Sequence, residues 1–220
     1  MSLVQTALQT TSEYHKIETL YERDDKTHRI KPELILKNRV YGCIKTWHWT
    51  EKVDGTNVRV IWDGSKVTFG GKTDNAQLHA DLFRYLTDTF TPEKLAACFE
   101  PIDGFVVLYG EGYGAGIQKG GNYSQEKRFI LFDILVGKWW LNQDSVNDVA
   151  SKLGIPVVPF LGEMTLEDAT EKVRHGIPSV LAEGRCQMEG MVGRPVEALF
   201  DKKGHRLIVK LKTKDFLGSK

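Results

Sequence analysis

Residues 57–71, NVRVIWDGSKVTFGG, alternate in character on both sides of the pair Asp63-Gly64. A period of two is the period of a strand, and Asp-Gly suits the positive φ of a tight turn, so Val58 to Phe69 reads as a β-hairpin. FVVLYGE (105–111) and RFILFDILV (128–136) are short apolar runs of strand type, and MEGMVGRP (188–195) and HRLIVKLKTK (205–214) close the chain as two more. Helical spacing is confined to a few places. Leu78, Leu82, Phe83 and Leu86 predict a helix over Asn75 to Phe90, and Thr91-Pro92 provides an N-cap and a first-turn proline for a second. A third helix is expected from Asp144 to Leu153, stopped by Gly154; a fourth starts at Thr165, with Asp168 completing a capping box, and ends at Gly176. These elements do not alternate as regular β-α-β units, so the fold class expected is α+β with antiparallel sheets. Residues 1–220 are read as a single domain, with 1–45 an N-terminal extension packed on it.

The 30 basic and 29 acidic side chains leave a net charge of +1, so no global field draws the protein onto a polyanion. Any such partner has to be met by a local surface. Cys43, Cys98 and Cys186 stand far apart with no C-x-x-C pair, which speaks for a reducing, intracellular (cytoplasmic) setting and against a zinc site. There is no apolar run of eighteen residues and no charged-apolar-small leader at Met1, so no membrane role is expected.

The stretch WTEKVDGTNVR (49–59) sets Lys52 between Glu51 and Asp54 and follows it with a Gly-Thr-Asn turn. A lysine is a nucleophile only as the neutral amine, about one molecule in two thousand at pH 7 for an ordinary pKa near 10.4. Activation needs desolvation or nearby positive charge. Neighbouring residues of a strand point to opposite faces, so Glu51 need not touch the Lys52 amine. By itself K-x-D-G arises by chance in about one chain in twenty of this size, so other motifs have to decide.

The stretch LYGEGYGAGIQKGGNY (108–123) formally fits a dinucleotide fingerprint, but no helix is expected after it, and the reading is rejected. The alternatives are a mobile glycine loop or a backbone lying close to a ligand with Glu111 as an acceptor at its edge. In RFILFDIL, alternation puts Phe129 and Phe132 on opposite faces, one for the core and the other for a cleft where it would suit a purine. Lys210 and Lys212 leave one face of their strand together. They are either a solvated face or a pair converging on a phosphate and raising the local potential at Lys52. Glu189 offers a carboxylate for a metal or a ribose.

The order of these motifs resembles that of the covalent nucleotidyltransferases: ATP-dependent DNA and RNA ligases and mRNA capping enzymes. Thr50-Glu51-Lys52-x-x-Gly55-Thr56-Asn57, Gly110-Glu111-x-x-Gly114 with Ile117-Gln118 and Tyr123, and the upstream YHKIETLYERD are most similar to the RNA ligase family, near the RNA ligase 2 group and its phage-encoded relatives. The resemblance runs from Tyr14 to Lys212. It implies an antiparallel-sheet nucleotidyltransferase (adenylation) domain of the ATP-grasp-like ligase and capping-enzyme type. It further implies a lysyl-AMP intermediate formed from ATP with Mg²⁺ or Mn²⁺, AMP transfer to a 5′-phosphate end, and sealing by a 3′-hydroxyl of RNA ends or a nicked duplex.

Carried over by motif position, Lys52 is the nucleophile, supported by Asp54 and Gly55, and Glu51 and Asn57 bind the nucleotide. Glu111 binds ribose, Phe132 stacks on the base with Asp133 supporting it, and Glu189 engages metal and nucleotide. Lys210 and Lys212 hold the α-phosphate, with Lys212 promoting adenylylation. Two departures from the family pattern stand out. Where many relatives carry an arginine, FGGKTDN has Lys72, for which Arg59 is a possible substitute. Eight residues follow Lys212, so an OB domain is expected to be lacking, with its role left to the N-terminal extension, to loops or to a separate protein. Strand joining is therefore expected to be weak beside self-adenylylation. A DNA ligase or a GTP-using capping guanylyltransferase is the alternative within this chemistry, and a non-catalytic nucleotide or RNA-end binding module is the alternative outside it.

Overall fold

The structure is a computed structural model that describes residues 13–99 and 104–216. The first twelve residues of the expected N-terminal extension lie outside the described residues. The chain forms two compact units, one of residues 1–14 and 54–158, the other of residues 15–53 and 159–220.

In the first unit, β3 (Thr56–Trp62), β4 (Val67–Gly70), β5 (Val106–Tyr113), β6 (Arg128–Val136) and β7 (Trp139–Trp140) make one sheet in the order β4-β3-β5-β6-β7, antiparallel throughout. The expected hairpin is present: Trp62 pairs with Val67 and Gly64 has φ +94°. Asp63 Oδ1 closes the turn by accepting the Ser65 and Lys66 N–H groups. Three helices, α1 (Ala80–Thr89), α2 (Pro92–Cys98) and α3 (Gln143–Leu153), bury Leu82, Leu86, Leu95, Val146 and Val149 with Val58, Val60, Leu108, Phe129 and Leu131 of the sheet. Thr91 caps α2 with Pro92 in its first turn, and Gly154 ends α3 at φ +68°. α1 starts five residues later than the predicted Asn75. His79 Nδ1 accepts the Asp81 N–H there, and the preceding segment is held by Arg59, whose Nε donates to Gly71 O (2.8 Å) and Nη2 to Asp74 Oδ1 (2.7 Å).

In the second unit, β1 (Glu18–Thr19), β2 (Trp47–Lys52), β8 (Phe160–Met164), β9 (Gly190–Pro195) and β10 (Val209–Lys212) are ordered β1-β10-β9-β2-β8. Among the described residues of this sheet, the two-residue β1 runs parallel to its neighbour, β10, and the other strand pairs are antiparallel. Leu166, Ala169 and Val173 of α4 (Leu166–His175) pack on Trp47, Trp49, Met191, Val209 and Leu211. Thr165 caps α4, and its hydroxyl donates to the Asp168 carboxylate while accepting the Asp168 N–H. The last strand is shorter than HRLIVKLKTK suggested. It stops where the Thr213 N–H donates to Glu189 O and the Thr213 hydroxyl to Met188 O. Among the described residues no helix is long and apolar enough to cross a membrane.

Candidate active site

On β2, Trp47 and Trp49 enter the core, so alternation sends His48, Thr50 and Lys52 to the other face. The register continues across the sheet: Lys52 is opposite Gly190 and Gly190 is opposite Lys212, while Thr50 is opposite Val192 and Val192 opposite Lys210. One sheet face therefore gathers three lysines from two strands. Glu189, just ahead of β9, neutralises two of them: Lys52 Nζ donates to Oε2 at 2.5 Å and Lys212 Nζ to Oε1 at 2.7 Å. Burial pushes the Glu189 carboxyl up, but the Lys52 and Lys212 ammonium groups outweigh it and hold the acid below its usual value. Burial also lowers Lys210, with help from the charges of Lys212, Lys52 and Arg23, to about 8.

Glu51 points away from this cluster, as alternation predicts. It is 1% exposed and accepts the Ser179 hydroxyl (2.5 Å) and the Val180 and Leu181 N–H groups (2.9 and 3.1 Å). Its carboxylate thus fixes the turn after Pro178, while Ser179 Oγ accepts the Ala182 N–H.

The first unit carries the other candidates. Asn57 and Arg59 of β3 face Glu111 and Tyr109 of β5 in register, and Tyr109 faces Asp133 of β6, so these side chains share the sheet face opposite the helices. Asn57 Oδ1 is buried with no hydrogen-bond partner among the described residues. Gly55 lies against this group. A Cβ there would stand 2.3 Å from the Gly112 carbonyl oxygen and 2.9 Å from Glu111 Cγ, so the turn after Lys52 requires glycine. The Asp54 N–H donates to Tyr123 Oη at 3.4 Å.

Gly110 and Gly112, read from the sequence as parts of a glycine loop or ligand-lying backbone, are inside β5. A Cβ on Gly110 would meet the Phe129 ring at 2.2 Å, so packing demands the glycine. The loop follows as turns and a short 3₁₀ segment rather than an α-helix, in keeping with the rejected dinucleotide reading.

Phe129 is in the core and Phe132 is not, as alternation predicts, and a β-bulge then turns Asp133 out of the core as well. Leu131 pairs with Gly110 and Asp133 with Tyr109, leaving Phe132 unpaired between them, and the core-facing set shifts from 129 and 131 to 134. Tyr14 meets Phe132 edge-on, with ring centroids 5.1 Å apart, and its hydroxyl donates to Asp133 Oδ2 at 2.7 Å. Arg59 is 1% exposed and spans Gly71 and Asp74, whereas Lys72, on the loop so held, is exposed.

A family model described as RNA ligase matches residues 45–212. The chain belongs to the RNA ligase family. No curated protein matches it. Among solved structures, it is similar to Naegleria gruberi RNA ligase. An alanine variant with ATP and Mn aligns over 92% of this chain and 60% of that one at 17% identity and a TM-score of 0.65. An apo variant aligns over 96% and 61% at 17% identity and 0.64, and a methionine variant with AMP and Mn over 96% and 62% at 16% and 0.63. The chain thus spans about 60% of the length of these structures. The likeness extends the α+β, antiparallel-sheet architecture to solved members of the RNA ligase family.

Two residues of this RNA ligase family chain had no motif to announce their roles. Ser179 shares the Glu51 carboxylate from 128 residues away. Tyr14, quoted only as part of an upstream match, supports Phe132 and Asp133 from 119 residues before the latter.

Proposed function

We propose that this chain is an ATP-dependent RNA ligase, a polynucleotide ligase working through lysyl-AMP, and that residues 1–220 serve as one nucleotidyltransferase domain of the ATP-grasp-like ligase type. The observation that carries this is the lysine at the end of β2 sharing one carboxylate with the K-x-K strand: Lys52, Glu189 and Lys212 within 2.7 Å contacts. In this reading the neutral Lys52 amine attacks the α-phosphorus of ATP. A P–N bond forms, the bond to the bridging oxygen breaks and pyrophosphate leaves. Because the amine must first lose its proton, the Lys52–Glu189 pair has to open or pass that proton on.

Lys210 and Lys212 hold the α-phosphate. Asn57 and Glu111 bind the nucleoside, Phe132 stacks on its base and Asp133 keeps that strand in place through Tyr14. Glu51 acts by fixing the turn at 179–181, with Asp54 and Gly55 shaping the turn after the nucleophile. Lys72 makes the phosphate contact that many relatives give to arginine, and Arg59 supports the loop that carries it. The AMP then passes to a 5′-phosphate end of RNA, and a 3′-hydroxyl displaces it.

Among the described residues no group of three or more His, Cys, Asp or Glu is placed to hold a metal. Mg²⁺ commonly uses one or two carboxylates plus substrate phosphates and water, so Glu189 fits a Mg²⁺ or Mn²⁺ ion that arrives with the nucleotide. When bound, such an ion offsets charge on the triphosphate.

Incubation with α-labelled ATP and Mg²⁺, followed by denaturation, is the test. Label should stay on the chain and be absent from Lys52→Ala. Label from GTP alone would replace the reading with a capping enzyme, and no label from either with a binding module.

A further inference from the structure

The face that presents Lys52 continues to an aromatic platform. In the β2–β8 ladder Phe160 is opposite Thr50 and Gly162 opposite Trp49, with Leu161 left over at a bulge. Directly opposed residues point the same way, so Phe160 shares a face with His48, Thr50 and Lys52. Its ring lies on the His48 imidazole with centroids 4.2 Å apart and planes 23° apart. Phe160 is nevertheless 55% exposed, whereas Trp47 and Trp49 on the opposite face are fully buried. A phenyl group held flat by one stacked neighbour while its remaining surface meets water is costly to leave bare and suited to a second stacking partner.

The charges on the same face indicate what that partner is. Arg194 is opposite His48, and Lys210 and Lys212 stand on the far strand, against Glu163 opposite His48 and Glu189 beside Lys52. Cationic groups interleaved with an aromatic platform match a single nucleic-acid strand, whose phosphates need charge and whose bases supply flat π faces. Thr50, which Phe160 opposes, is two residues from Lys52, roughly 7 Å along the strand. That is close enough for a nucleotide near the reacting end to reach the platform.

We propose that Phe160, seated on His48, stacks on a base of the RNA strand that receives or follows the AMP. This rests on the RNA ligase reading and adds the residue that would grip the polynucleotide, distinct from those assigned to ATP.

The test is binding of a short, fluorescently labelled 5′-phosphorylated RNA, followed by anisotropy at one fixed salt concentration, with and without ATP and Mg²⁺. Phe160→Ala and Phe160→Leu should each weaken binding about fivefold or more, and Phe160→Trp should bind as well as the parent or better. Labelling from α-labelled ATP should be unchanged in all three. Since Phe160 is exposed, thermal unfolding of the variants should match the parent and exclude misfolding. The proposal is overturned if the parent binds no RNA, or if Phe160→Ala binds as the parent does. Full retention by Phe160→Leu would overturn stacking, and a loss confined to ATP labelling would reassign the ring to the nucleotide. A parent that takes no label but binds RNA in a Phe160-dependent way would sink the ligase reading and leave this one standing.

Discussion

Lys52 Nζ donates to Glu189 Oε2 at 2.5 Å, from the last residue of one strand to the residue just ahead of its antiparallel neighbour. The other oxygen of the same carboxylate takes Lys212. Glu189→Gln leaves these two lysines without the anion that holds them in place. Labelling by ATP should fall by about a hundredfold or more, the scale seen when one preorganised electrostatic partner is removed. Stability gives an independent check. The Glu189 carboxyl titrates below its usual 4.5, so the stability its ion pairs contribute is present above that value and is lost as pH falls through the lower, folded one. Thermal unfolding of Glu189→Gln should therefore lose part of the parent's acid sensitivity as pH falls below 4.5.

Lys210, lowered to about 8, should make ATP binding sensitive to mild alkali. Below that value it is an ammonium and attracts phosphate; above it the charged fraction falls toward a limit of about tenfold per pH unit. KM for ATP in the labelling reaction should rise above pH 8, and Lys210→Arg should flatten the rise. The stability sign is the reverse. A lysine with a depressed folded value burdens the fold while protonated in both states, below 8, and the burden lifts as pH rises from 8 toward 10.5. Lys210→Met should then raise the Tm at neutral pH while weakening labelling.

Glu51 accepts three hydrogen bonds from residues 179–181 in a site closed to water. A glutamine there would aim an amide N–H₂ at N–H donors and would lose the charge. Glu51→Gln should cost about 1.5–3 kcal/mol, read as a lower urea midpoint at unchanged slope. An unchanged midpoint would show that the turn does not depend on the carboxylate.

Arg59 and Asp74 anchor the loop that carries Lys72. Asp74→Asn, a change on a half-exposed side chain, should raise KM for ATP several-fold while leaving the saturated labelling rate close to the parent's. In a Lys72→Ala background the same substitution should have no further effect, because neighbours acting through one group are not additive. Additive losses would separate the anchor from Lys72. Lys72→Arg, which restores a planar donor fork, should tighten ATP binding.

The sequence by itself determined the elements whose signals are local. The Asp63-Gly64 turn, the Thr91-Pro92 start of α2, the Gly154 stop of α3 and the Thr165 cap of α4 each depend on hydrogen bonds or φ values within about four residues, and all are found where they were read. The linear order of motifs was equally legible and led to the family. What pairs with what was decided elsewhere. Glu51 and Ser179, Lys52 and Glu189, and Tyr14 and Asp133 are separated by 128, 137 and 119 residues. Their meeting depends on strand register, which no short window of sequence records.

Asp133 leaves the core through a bulge that simple alternation does not include, and α1 begins late, after a loop that Arg59 holds. Local propensity drew the strands, helices and their caps. Only tertiary pairing chose which charged side chains would share one carboxylate, because that choice is made by sheet register and burial over the whole chain.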